Sequence, residues 1–301
     1  MAVSICDVHT GQTRKDTTSY GTLSFPIACY EDNMNIVTVP IHWHDEYEYI
    51  LAVEGTVTVL LNSEAVELQV GESVFINSGC LHGVKPVAGG SSVLRSLVIS
   101  PRLIGGSSDS VIFQRLILPL SVKDAPAFVL LNKHSDWQKA VAEHMLLAWS
   151  AVTEESYDFE NEARYQVARG MRILVDHLAE LPHRSPANEV ILTRIKQALN
   201  FIETHYSEDI GTESLTQYCS CSESVLLRNF RQIVGTTPGR YLVQYRLQKA
   251  AELLLTTDLR SGDIACACGF HDFSYFTKMF RQTYGKTPLA YRETGRRSGS
   301  E

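Results

Sequence analysis

Ser222-Glu-Ser-Val-Leu-Leu-Arg-Asn-Phe-Arg-Gln-Ile-Val-Gly-Thr-Thr-Pro-Gly-Arg-Tyr241 and Asp272-Phe-Ser-Tyr-Phe-Thr-Lys-Met-Phe-Arg-Gln-Thr-Tyr-Gly-Lys-Thr-Pro-Leu-Ala-Tyr291 are one pattern written twice. Arg228 and Lys278, Phe230 and Phe280, Gly235 and Gly285, and Pro238 and Pro288 each lie 50 positions apart, with no gap. Two copies are too few for a stacked solenoid, so they read as one small module used twice. Ser222 and Asp272 suit a helix N-cap, where a short side-chain oxygen accepts from free N–H groups of the first turn. Leu226, Phe230 and Val234, like Phe276, Phe280 and Tyr284, recur every four residues and make one apolar face. Gly235 and Gly285 suit the left-handed residue that ends a helix. Pro238 and Pro288 suit the first turn of the next one. A shorter helix is expected before each copy, over Thr212–Cys219 and Gly262–Cys268.

Helix, short turn, helix is the shape that lays its second helix in the major groove of DNA. With the apolar face buried, Ser222, Ser224, Leu227, Arg228 and Arg231 remain for DNA in the first copy. Phe273, Ser274, Thr277, Lys278 and Arg281 remain in the second. A basic residue at the same place in both copies, Arg228 and Lys278, fits contact with guanine or phosphate. Arg231 and Arg281, taken singly, fit ordinary solvated surface equally well. Pro238–Thr256 reads as one long helix joining the modules. It would set the two recognition helices about one turn of DNA apart, roughly 34 Å.

Over Ile191–Arg292 the chain resembles the AraC/XylS family of transcription regulators. Leu215, Ser222, Leu226, Phe230, Gly235, Pro238, Tyr241, Arg246, Ala250, Leu254, Ile264, Ala265, Gly269, Phe270, Phe276, Phe280, Gly285, Pro288 and Arg292 carry the likeness. It implies an all-α DNA-binding domain with two helix-turn-helix motifs. Leu227 and Phe273 depart from it, being apolar where many relatives place polar base-readers. They either touch thymine methyl groups or pack.

The net charge of −7 divides unevenly: residues 190–301 hold 14 Lys and Arg against 11 Asp and Glu, and residues 1–189 hold 13 against 23. Only the second part suits phosphate, whose affinity rests on counterion release. No apolar run nears the ~20 residues of a membrane span, and the start does not read as a signal peptide. Seven cysteines without a compact framework lead us to expect a reducing, cytoplasmic setting. Cys219, Cys266 and Cys268 are expected in the core, since structural zinc normally spaces its ligands more widely than Cys-x-Cys.

Residues 1–19 read as a flexible arm. From Tyr20 the pattern becomes short strands at Leu23–Phe25, Ile36–Val39, Tyr47–Ala52, Val57–Leu61, Ala65–Val70, Val74–Ile76 and Val93–Ile99. Strands at this spacing argue for a sandwich or barrel. Within them lie His42-Trp-His44, Glu48, Gly55, Gly71, Gly79 and His82. This arrangement resembles the cupin pattern over residues 20–100, with Asn77 where that pattern has a proline and Pro86 where it has an asparagine. The resemblance implies a small barrel that binds a small molecule, and in cupin enzymes a divalent metal on three His and one Glu. His42, His44, Glu48 and His82 suit Zn²⁺, Mn²⁺, Fe²⁺ or Ni²⁺. They equally suit the hydrogen-bonding lining of an organic effector, or satisfied histidines. Trp43, Tyr47 and Tyr49, with His82, are the candidate effector contacts, to a sugar or another metabolite; the aromatic residues also suit a core.

The expected class is α+β. A cupin-like barrel (20–107) carries a helical extension (108–181), a Pro-containing linker (182–190), the double helix-turn-helix domain (191–293) and a tail (294–301). In the extension, Val141, Met145, Leu146 and Trp149 form one apolar side, and Val167, Ile173, Leu174, Leu178 and Leu181 another; they pack on the barrel or on a second subunit. The reading is an effector-controlled transcription regulator rather than an enzyme. Its expected partners are promoter DNA, a second copy of the chain and RNA polymerase, with no membrane. The rival is a cupin dioxygenase or isomerase carrying a DNA-binding module.

Overall fold

The structure, a computed structural model, describes residues 20–298 other than 36, 38, 63, 86–90, 123, 132–134 and 182–185. The predicted arm (1–19), Pro86, much of the linker and the last residues of the tail lie outside it. The chain divides into two compact units, Met1–Val190 and Ile191–Glu301.

The first unit is built on two antiparallel sheets. β1 (Ile27–Asn33), β8 (Val93–Ile99), β3 (Tyr47–Glu54), β6 (Ser73–Ile76) and β9 (Phe128–Leu131) form one, in the order β1-β8-β3-β6-β9. β2 (Val39–His42), β7 (His82–Lys85), β4 (Val57–Leu61) and β5 (Glu64–Leu68) form the other, in the order β2-β7-β4-β5. Alternation along each strand sends one set of side chains between the sheets and the other set outward. Ile50, Ala52, Val57, Val59, Leu61, Val74 and Val84 meet between the sheets. Tyr47, Tyr49, Phe75, Leu97 and Val129 face a second core under α3 (Asp136–Glu154) and α4 (Phe159–Asp176). α1 (Pro101–Gly105), a π-helical turn at Phe113–Ile117 and α2 (Leu118–Ser121) complete that cover.

Four expectations change here. Leu23–Phe25 is a turn, closed by Thr22 N donating to Phe25 O at 3.0 Å and Phe25 N to Thr22 Oγ1; the first strand starts at Ile27. The region expected to be wholly helical contributes β9, paired with β6. Leu146 is exposed rather than on the packed side of α3. α5 (Pro186–His205) begins inside the stretch read as linker.

The second unit is all-helical: α5, α6 (Thr212–Tyr218), α7 (Glu223–Val234), α8 (Pro238–Thr256), α9 (Ser261–Ala267), α10 (Phe273–Tyr284) and α11 (Pro288–Ser298). Gly235 and Gly285 end α7 and α10 at φ 77° and 70°. Asp272 caps α10 by accepting from Ser274 N and Tyr275 N, whereas Ser222 occupies the α7 N-cap without any side-chain cap bond. α8 serves both modules. Near its start Tyr241 lies 5.8 Å from Phe230 of α7, and farther on Leu247, Ala250 and Leu254 join Ile264, Phe276 and Phe280 of the second. Cys219 and Cys268 are buried as expected, but Cys266 is exposed, on the outer side of α9.

Arg246 of α8 pins this joint. Its guanidinium donates to Tyr206 O at 2.6 Å and Glu208 O at 2.7 Å, and its Cζ stands 5.9 Å from the Phe270 ring. Gly269 fits against it at φ 81°, where an added Cβ would sit 2.8 Å from Tyr206 O and 3.0 Å from Arg246 Cζ. Gly269→Ala would meet both a left-handed backbone and a backbone oxygen with nowhere to go. We expect a loss of about 2–3 kcal/mol, measured by urea unfolding; a change below about 0.5 kcal/mol would show that the joint yields.

Candidate functional site

Two groups of side chains stand out, one in each unit. In the first unit, β2 delivers His42, the turn after it delivers His44, β3 delivers Glu48 and β7 delivers His82. His42 and His82 are cross-strand partners in the β2–β7 pair. His44 lies on no strand, whereas Glu48 lies on β3. The chain leaves one sheet at His42 and enters the other at Tyr47, and His44 O accepts from Gly79 N at 2.8 Å in between. All four residues are buried, at 2–7% exposure, and their ligand atoms lie within 4.8 Å of one another.

The ring orientations are fixed from behind. Nδ1 of His42 meets Pro40 O at 2.9 Å, Nδ1 of His44 meets Glu46 O at 3.1 Å, and Nδ1 of His82 meets Cys80 O at 2.9 Å. A carbonyl only accepts, so each Nδ1 carries a proton, and each ring turns its Nε2 toward the cluster. His82 Nε2 lies 2.8 Å and His44 Nε2 3.4 Å from Glu48 Oε2. Neither contact has hydrogen-bond geometry, so both Nε2 atoms are buried without a hydrogen-bond partner. Burial, with the charges of His82 and His44 beside it, holds His42 well below its ordinary value. Burial also acts to lower His44, but Glu48 beside it prevails and raises it. For Glu48 burial works upward, yet His44 and His82 hold its carboxyl below the usual carboxylate range. Convergent imidazole nitrogens with backbone-anchored Nδ1–H groups and one ionised carboxylate match the donor set for a divalent transition metal.

Of the expected effector contacts, His82 belongs to this cluster and Trp43 is half-buried beside it in sequence. Tyr47 and Tyr49 do not face it. They flank Glu48, so the pleat turns them to the opposite side of β3. There Tyr47 stands 5.5 Å from Phe75 and Tyr49 donates to Ala142 O of α3. Their hydroxyls are pushed up to about 12 by burial in that core. Tyr20, which no motif marks, has its ring 5.2 Å from His44.

In the second unit, Ser222, Ser224, Arg228 and Arg231 of the first copy are exposed and Leu227 is half-buried. In the second, Phe273, Ser274, Lys278 and Arg281 are exposed and Thr277 is half-buried. Phe273, Ser274, Thr277, Lys278 and Arg281 line one groove of about 750 Å³, together with Gln282 and Thr287. In the first copy Arg231 lines a hollow of about 560 Å³ with Thr237 and Arg240. Gln282, Thr287 and Arg240 are not among the DNA contacts expected from the sequence, although Thr287 is the threonine of the repeat's Gly-x-Thr-Pro turn and Gln282 and Arg240 flank that turn in their copies.

Comparison with known proteins agrees with this division. Residues 215–294 match the model of a helix-turn-helix domain, and residues 37–99 that of a cupin domain. The "Uncharacterized HTH-type transcriptional regulator YdeC" of Bacillus subtilis (strain 168) is 28% identical over 94% of this chain and 97% of its own length. The "HTH-type transcriptional activator RhaS" of Klebsiella pneumoniae (strain 342) is 26% identical over 84% and 87%. A solved "transcriptional regulator (AraC-type DNA-binding domain-containing proteins)" from Chromobacterium violaceum is 29% identical over 34% of this chain and 92% of that one, with a TM-score of 0.33. Both full-length relatives are named as regulators, and among the described residues no helix is long and apolar enough to cross a membrane. The chain thus carries a helix-turn-helix domain in its C-terminal part and a cupin domain in its N-terminal part, and is similar along most of its length to proteins named as HTH-type transcriptional regulators.

Proposed function

We propose that the chain binds a specific promoter sequence under the control of a small molecule held in the cupin domain, beside a divalent metal. The observation that carries the metal half is the set of buried Nε2 atoms of His44 and His82, which converge on Glu48 without hydrogen-bond partners. Such atoms cost free energy unless something meets them. His42, His44, Glu48 and His82 would hold the ion, which when bound supplies a Lewis acid with positions open to an effector's oxygen or nitrogen. The remaining effector contacts are Trp43 and His82, with Tyr20 added and Tyr47 and Tyr49 withdrawn.

The DNA half rests on exposed Arg228 and Lys278 at matching places in the two recognition helices. Ser222, Ser224, Leu227 and Arg231, with Phe273, Ser274, Thr277 and Arg281, complete the surface. A second copy of the chain and RNA polymerase are the remaining partners, and the cytoplasm is the setting. An effector that prefers one arrangement of the protein shifts the population toward it, which is all the control requires.

The test is a thermal-shift panel of metabolites with and without Mn²⁺, Zn²⁺ and Ni²⁺, followed by gel-shift titration on the native promoter. A ligand that raises the melting temperature only with metal, and changes promoter affinity, supports the reading; absence of any metal-dependent shift speaks against it. For the DNA surface, Arg228→Ala should cost about 1–3 kcal/mol of specific binding. A loss of equal size on every sequence would assign Arg228 to a phosphate instead.

A further inference from the structure

Between the cluster and the helical cover runs one short loop, 77–81, joining β6 to β7. Its far end touches the metal-ligand set twice. Cys80 O holds the Nδ1 of His82 at 2.9 Å, and Gly79 N donates to His44 O at 2.8 Å. Its near end is Asn77, a polar side chain buried to 4% exposure. The Asn77 carboxamide donates from Nδ2 to both Leu120 O and Pro126 O, each at 2.9 Å, and accepts from Ser78 N at 2.8 Å. The Asn77 backbone N also donates to Ala127 O, and Cys80 N donates back to Asn77 O. Leu120 sits in the core shared with α3 and α4.

We infer that Asn77 couples occupation of the His42–His44–Glu48–His82 cluster to the helical cover, through the 77–81 loop. This rests on the metal reading above and adds to it a route by which the site is felt elsewhere in the unit. The physical argument has two parts. Donor atoms now spread over as much as 4.8 Å must close on one ion at about 2.0–2.2 Å from each. A ring anchored by its other nitrogen to Cys80 O moves that carbonyl with it, and an ion on Nε2 strengthens the Nδ1–H···O bond behind it. The loop between is short and is also held at Leu81, whose N–H donates to Asn62 Oδ1 at 3.1 Å. The displacement therefore passes to Asn77. Only a carboxamide can serve the end of this route: it offers two donors and an acceptor, while the proline of the common cupin pattern offers no side-chain donor and no N–H.

The experiment is hydrogen exchange on the full-length protein with and without Mn²⁺ or Zn²⁺, following peptides that span residues 117–131. Metal uptake is measured in parallel by calorimetry. In the wild type, metal should raise protection there by at least about threefold. Asn77→Asp keeps the acceptor for Ser78 and loses both donors; Asn77→Ala loses all three bonds. Each should bind metal within about tenfold of wild type while losing the protection change. Far-UV circular dichroism selects whichever variant keeps the native fold, and the wild-type comparison stands without either. Metal uptake with no change at 117–131 overturns the coupling but leaves the metal site standing. So does a variant that binds metal and keeps the change. No uptake at all overturns both.

Discussion

Phe280→Ala is expected to remove about 3–5 kcal/mol from the helical unit and with it DNA binding at ordinary temperatures. Phe280 has no exposed surface. Its ring is met by Phe276 at 5.6 Å, Tyr284 at 4.7 Å and Tyr291 at 5.4 Å, all in tilted or edge-on arrangements. Truncation loses the transfer term and also the aromatic contacts, each worth about 0.5–1.5 kcal/mol beyond burial. The surrounding rings are anchored on α10 and α11 and cannot collapse into the hole. The effect should be local to the second unit, and the chain carries its own reporters for this. All three tryptophans, Trp43, Trp137 and Trp149, lie before residue 150, whereas the second unit is entirely helical. Urea unfolding followed at 222 nm should shift to lower denaturant while tryptophan fluorescence holds its midpoint. A shift at 222 nm worth less than about 1 kcal/mol would mean the core around Phe280 is not the one that holds the recognition helix.

The repeat was legible because every device in it is local. A four-residue apolar period, a left-handed glycine and a proline in the next first turn each act within one helix or its end. Element type, and the bounds of α7, α8 and α10, follow from such signals with little help from the rest of the chain. The sandwich was legible only where strands alternate. β4 does so, with Val57, Val59 and Leu61 buried and the residues between them half-buried. β1 does not: Ile27, Ala28, Cys29 and Tyr30 are all buried, because Ile27 and Cys29 join the core under the helical cover while Ala28 and Tyr30 pack with Tyr20 and Val98. β9, Phe-Val-Leu-Leu, is a short apolar run that could belong to helix or strand; its pairing with β6 decides it.

The candidate metal ligands are legible by residue type and spacing, which do not depend on the path of the backbone. His44 reaches the cluster from a turn rather than from a strand. Tyr47 and Tyr49 suit effector contact and core alike in the sequence, because an aromatic near a site looks the same whichever way the pleat turns it; the structure puts them in the core. The carbonyls of Pro40, Glu46 and Cys80, which set the tautomers, have no signature at all, since every residue carries one.

Glu48→Gln should lower metal affinity by at least about a hundredfold, more than the loss of an outer-shell partner normally costs. The substitution keeps volume and shape and removes the only negative charge in a ligand set of three neutral imidazoles. His44 and His82 favour the ionised carboxylate in the metal-free cluster as well, so the neutral amide should also lower the melting temperature of the metal-free protein. Metal affinity, read at a temperature where the variant is folded, is therefore the measurement that tests Glu48 as a ligand. Tyr47→Phe is the matching control. It is the next residue along β3, but it faces the helical core, and it should leave metal affinity unchanged. Calorimetric titration with Mn²⁺, Zn²⁺ and Ni²⁺ on wild type and both variants reads the outcome. Equal affinity in wild type and Glu48→Gln, with Tyr47→Phe the weaker binder, would place the ion on the other face of the strand and remove the cluster from the function.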